Sequence, residues 1–145
     1  MTEYRTPSDI HPCLTYANAP EAIGWLCRAF GFVRCLVVPG DNGTIRHSEL
    51  RLGTGVVMVS SPRPGRAPPS TSGANCATLS VYVADPDKHL AVATAAGAKI
   101  TQPLCDEAYG ARGYSACDLE GHNWYFGNYR PGAHWENPDE ESACG

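Results

Sequence analysis

No stretch of the 145-residue chain approaches the roughly 18 consecutive apolar residues that a membrane-spanning helix needs, so no membrane association is expected. The polar opening MTEYRTPSDIHP lacks the apolar core of an export signal, and a cytoplasmic location is the expectation. Basic residues are few and scattered, 11 Lys and Arg against 15 Asp and Glu for a net charge of -4. The basic stripe that recognises nucleic-acid phosphates is therefore absent. There are seven cysteines, an odd number, and no two have C-x-x-C spacing, which removes the usual zinc-ribbon and thioredoxin-like patterns. Reduced thiols are expected, most of them small buried hydrophobes, with Cys144 in a polar tail the most exposed. Gly53-Thr54-Gly55 has neither a lysine nor a helix behind it, so it is not a phosphate loop, and H-E-x-x-H and G-x-S-x-G are both missing.

What remains reads as one α+β domain. Ile10 to Ala17 alternates as a strand. Asn18 followed by Glu21, with Pro20 in the first turn, marks a helix start. Ala22, Ile23, Leu26, Ala29 and Phe30 repeat at helical spacing up to Gly31, which predicts an amphipathic helix over 19–30. Phe32 to Val38, Ile45 to Leu52 and Val56 to Ser60 read as strands. Residues 62–75 hold four prolines and no periodicity, and read as a linker. The pattern then restarts: a strand over 77–84, a helix from Asp85-Pro86 to Gly97, a strand beginning at 98–101, a loop over 103–113, and strands over 114–118 and 123–128. The acidic segment 131–145 reads as a surface or disordered tail.

A shift of 66 residues superposes the halves. Tyr16 falls on Tyr82, Pro20 on Pro86, Ala29 on Ala95, Gly31 on Gly97, Arg46 on Arg112 and Gly55 on Gly121. These positions punctuate strand, helix start, helix end and turn. The chain is thus read as two tandem βαβββ modules, at about 9–61 and 76–130.

The segments YANAPEAIGWLCRAFGF, RHSELRLGTGVVMVS and YGARGYSACDLEGHNWYFG resemble the vicinal-oxygen-chelate superfamily of glyoxalases, bleomycin-resistance proteins and extradiol dioxygenases. The closing segment is most similar to the PhnB-like branch. The resemblance implies two curved mixed sheets around a cavity, paired within one chain or exchanged in a homodimer. It also places the family's divalent-metal ligands on Pro12, Val59, Thr78 and Tyr125. None of these is a good ligand at neutral pH, so neither a metal nor another cofactor is expected.

Three functional readings follow. The first is metal-free binding or sequestration of a small aromatic or amphipathic molecule. The second is a lyase- or dioxygenase-type enzyme with a non-standard site built on His47 and Glu49, which share one face of a strand and suit base and orienter. The third is a heavy-metal or arsenical binder, which requires two or three cysteines to converge. The candidate ligand contacts are His47, Glu49, Arg51, Tyr109, Arg112, Asn123 and Tyr125. The loop 109–112 is placed at the cavity mouth, and His122 is read as a turn-stabilising residue.

Overall fold

The computed structural model describes residues 7–69 and 75–133. Most of the acidic tail, with Cys144, and residues 70–74 of the proline-rich linker lie outside the described residues. The first module runs β1 (Cys13–Thr15), α1 (Ala19–Phe30), β2 (Val33–Pro39), a short 3-10 turn at Asp41–Gly43, β3 (Ile45–Leu52) and β4 (Gly55–Ser60). The second runs β5 (Thr78–Tyr82), α2 (Pro86–Ala95), β6 (Lys99–Asp106), β7 (Arg112–Cys117) and β8 (Asn123–Gly127). Each makes a four-stranded mixed sheet in the same order, β1-β4-β3-β2 and β5-β8-β7-β6. In both, the first strand runs parallel to the last and the other pairs are antiparallel.

The sequence expectation for α1 holds to the residue. The Asn18 side chain accepts from the Glu21 amide at 3.2 Å, and Gly31 closes the helix with φ 86°, a left-handed conformation that a side chain disfavours. The second helix is capped by Asp85, which accepts from the Lys88 amide at 3.1 Å. Two strands differ from expectation. β1 shortens to three residues. β6 runs through Pro103 to Asp106, where a loop is predicted. It is an edge strand, and an edge is where a sheet tolerates a residue without an amide donor.

The repeat is real, but its register is not constant. Gly31 and Gly97 both have positive φ, and the buried Leu50 and Ala116 of β3 and β7 match, all at 66. Even the bulge in the edge strand recurs, between Arg34 and Leu36 and between Ile100 and Gln102. The caps Asn18 and Asp85 are 67 apart. So are the matched core residues Val57 and Trp124, and Val59 and Phe126.

Both helices pack into a single core. Leu50, Val57 and Val59 of the first sheet join Tyr114, Ala116, Trp124 and Phe126 of the second in one buried cluster with α1. The Phe30 ring lies 5.4 Å from that of Trp124 and 4.6 Å from that of Phe126, and Trp25 Nε1 donates to the Ala96 carbonyl at 2.7 Å. The large side chains of α1 therefore reach the second module. Full burial of each such side chain is worth roughly 1.5–3 kcal/mol. The sheets do not close into a barrel.

Candidate functional site

Strand alternation puts one face of each sheet in the shared core and turns the other away from it. In the first sheet the open face carries His47, Glu49 and Arg51 of β3. Beside them stand Val38, Leu36 and Val33 of β2 and Met58 and Val56 of β4. Val33, Leu36 and Val38 are exposed. His47 Nε2 and Glu49 Oε2 are 2.6 Å apart, each side chain about 40% exposed, so the pair is wet and polar within an apolar surround.

The open face of the second sheet has a different character. Thr78 and Ser80 of β5, Asn123 and Tyr125 of β8, Ser115 and Cys117 of β7 and Gln102 of β6 are register partners. Tyr125 lies flat across Gly113 and Gly127. A Cβ at Gly113 would collide with its hydroxyl, and one at Gly127 would stand 2.7 Å from its ring. That hydroxyl is buried and has no hydrogen-bond partner among the described residues. Burial, with Tyr109, Glu107 and Cys105 adding to it, raises the Tyr125 pKa, so the phenol stays protonated and is a free donor. Asn123 is engaged: its Oδ1 accepts from Cys117 Sγ at 3.2 Å and its Nδ2 reaches the Asn75 carbonyl at 3.5 Å.

Sequence-derived candidates thus fall into two open faces and one surface ion cluster. Arg112 is the first residue of β7. Its Nε and Nη2 donate to the two Asp87 carboxylate oxygens at 3.0 and 2.8 Å, and Nη1 to Asp106 at 3.1 Å. Hydrogen bonding to Arg112 holds the Asp87 carboxyl below its usual range. Arg112 therefore ties α2 to its sheet. Tyr109 stands exposed, its ring edge-on to Tyr129 at 5.2 Å.

The inherited metal positions need a correction in the first module. Val59 is fully buried in the core, and Pro12 alternates with the buried Leu14 on that same side. The residues that face out at this level are Cys13 and Met58, parallel partners, and Met58 and Tyr125 are 67 apart. The resemblance therefore places the first-module ligands one residue off the outward-facing register, and in a strand one residue is the other face. Among the described residues no three His, Cys, Asp or Glu side chains gather to hold a metal ion.

A cleft of about 410 Å³ lies between β5 and the β3–β4 turn, lined by Phe32, Leu52, Leu79 and Trp124 and edged by Thr78 and Ser80 of the second open face. His47, Glu49 and Tyr125 do not border it. The Arg130 guanidinium stacks at 3.6 Å over the Tyr82 ring there.

Sequence reasoning missed the buried carboxylate of Asp118. One oxygen accepts from Tyr16 Oη at 2.5 Å and Trp124 Nε1 at 3.0 Å. The other accepts from the amides of Glu120 and His122. Glu120 in turn accepts from the amides of Ala17 and Asn18 at the start of α1, and His122 Nε2 donates to the Thr15 carbonyl at 2.8 Å. The closing motif Asp118-Leu-Glu-Gly-His-Asn-Trp124 is the clasp between modules. Its signal was an acidic residue six before a tryptophan, which has a donor to satisfy when buried.

These features define a class. The chain belongs to the glyoxalase/bleomycin resistance protein/dioxygenase superfamily, whose model matches residues 10–126. It is 42% identical to TioX from Micromonospora sp. ML1, with a TM-score of 0.68 over 83% of this chain and 94% of that one. An uncharacterised protein of Mycobacterium bovis is 31% identical over 123 residues, 81% of each chain. A glyoxalase I variant from Zea mays shares the fold at a TM-score of 0.65 and 15% identity, over 82% of this chain and 44% of that one.

Proposed function

We propose that the protein binds a small aromatic or amphipathic molecule without a metal, in a site completed by a second copy of the chain. The observation that carries this reading is the Tyr125 hydroxyl, a buried donor left unsatisfied on an open sheet face. Such a group costs about 1–3 kcal/mol, and a ligand acceptor would satisfy it. The exposed Val33, Leu36 and Val38 supply apolar contact, and His47 with Glu49 supplies polar contact. Both open faces turn outward from one core, so the described residues of one chain do not enclose a ligand between them. A homodimer that sets the first sheet of one chain against the second sheet of its partner would do so. A PhnB-like relationship and a cytoplasmic setting are part of the same proposal.

The 2.6 Å His47–Glu49 contact favours one second reading, an enzyme in which Glu49 orients His47 as a general base.

Calorimetry against a panel of aromatic and amphipathic compounds, with and without a chelator, tests the proposal. Saturable binding unchanged by the chelator and weakened in Tyr125→Phe supports it. Binding that needs an added divalent ion, or turnover abolished by His47→Ala, favours the enzyme.

A further inference from the structure

The cleft beside β5 plays no part in the ligand site proposed above. All five residues of β5, Thr78–Tyr82, border it. Successive residues of a strand point to opposite faces, so a cavity that touches all five runs along the edge of the strand. β5 is an edge of its sheet. The first module contributes Leu52 and the Gly53–Gly55 turn. At about 410 Å³ the cleft has the size of a small-molecule site, and it lies within one chain.

Its charge is one-sided. Arg130 is the only charged residue that borders it. The guanidinium lies 3.6 Å from the centre of the Tyr82 ring, an attractive stack that holds the group without neutralising it. The N–H donors of a guanidinium lie in its plane, so a ring against its face leaves them available. The ion pairs among the described residues are His47–Glu49, Arg112–Asp87 and Arg112–Asp106, and none of them engages Arg130. A cation held at the border of an otherwise uncharged, largely apolar cleft complements a ligand with one anionic group and an apolar body.

We propose that this cleft is a second binding site, specific for an apolar monocarboxylate. The carboxylate accepts from the Arg130 guanidinium, and the hydrocarbon body lies against Leu52 and Leu79. The site needs no partner chain, so it stands independently of the ligand site between the open faces.

The test is calorimetry of the full chain with decanoate and with decan-1-ol, an uncharged molecule of the same length. Decanoate should bind about tenfold more tightly than the alcohol, the effect of one charge-assisted hydrogen bond. Arg130→Gln should remove that difference, and Tyr125→Phe should leave it. In nitrogen-15-labelled protein, decanoate should shift the amide signals of Gly53 and Gly55. The Gly113 amide, beneath the Tyr125 ring, should stay in place. Failure of decanoate to saturate the protein overturns the proposal, as do equal affinities for acid and alcohol. A loss of decanoate affinity in Tyr125→Phe as large as in Arg130→Gln also overturns it, by placing the ligand on the open face. Decanoate binding that survives Tyr125→Phe, in a protein that takes up none of the aromatic panel, would uphold this site and reject the open-face reading alone.

Discussion

The two modules share strand order, helix caps and even the position of the edge-strand bulge, yet they divide the work of folding unequally. The first helix buries Ala19, Ala22, Ile23, Trp25, Leu26, Ala29 and Phe30, and the second buries only Pro86 and Ala93. The second sheet compensates with bulk of its own, in Tyr114, Trp124 and Phe126, all fully buried. One strong helix therefore serves two sheets, and the weaker helix closes the remaining side through a polar contact. His89 Nε2 donates to the Phe30 carbonyl at 2.8 Å, and Nδ1 accepts from Tyr114 Oη at 2.5 Å. The open faces differ as well, with apolar strands around a His–Glu pair on one and small polar residues around a tyrosine on the other. A repeated backbone fixes where side chains point and leaves each copy free to specialise.

The asymmetry predicts unequal mutational costs. Phe30→Ala should destabilise the protein by about 3–5 kcal/mol, because the ring meets Trp25, Trp124 and Phe126. Val92→Ala on the second helix, where the side chain is 51% exposed, should stay within about 0.5 kcal/mol. Chemical denaturation of the two variants side by side checks this. Equal losses would mean that the helices share the core evenly.

Breaking the clasp comes next in size. Asp118→Ala strands the donors of Tyr16 and Trp124 in the core, and should cost about 3 kcal/mol. Its unfolding transition should also broaden or split if the modules come apart separately. A single sharp transition with no loss of stability would remove Asp118 from this role.

The contact made by the second helix should be visible in the pH dependence. Burial lowers the His89 pKa, partly opposed by its bond to the Phe30 carbonyl. As pH falls below about 6.5, the unfolded chain binds the proton first. The contribution of His89 to stability is thus complete above that pH and declines towards the lower folded-state value. Thermal melts from pH 8 to pH 5 should show the decline, and His89→Gln should flatten it relative to wild type.

The smallest expected effect on folding belongs to the open face. His47→Ala should move the thermal midpoint by no more than a few degrees while altering ligand affinity. A variant that fails to fold would make His47 a structural residue.

Much of this architecture was legible in the sequence. Asn18, Pro20 and Gly31 mark the first helix because capping and left-handed turns demand those residue types. Alternation in IRHSELRL separates Leu50 from His47 and Glu49 for the same geometric reason. The drift from 66 to 67 was not legible. A one-residue change in a turn leaves no trace in composition, yet it reverses which face Val59 occupies. Nor does periodicity within one helix say which sheet it will meet, so the contact of Phe30 with the second module had no local signal. His89 owes its role to Tyr114 and Phe30, 25 and 59 residues away, and Asp118 reaches the first module through Tyr16, 102 residues away, separations at which no local spacing rule operates.

The central claim is that each ligand site joins the first sheet of one chain to the second sheet of its partner. Chains carrying His47→Ala and chains carrying Tyr125→Ala should each bind poorly. When the two are mixed and allowed to exchange subunits, half of the dimers carry one intact site. Calorimetry should then recover roughly a quarter of the wild-type binding capacity, with light scattering giving twice the 15.5 kDa chain mass. A particle of 15.5 kDa across a wide concentration range, or mixed dimers that bind no better than either variant, would contradict it.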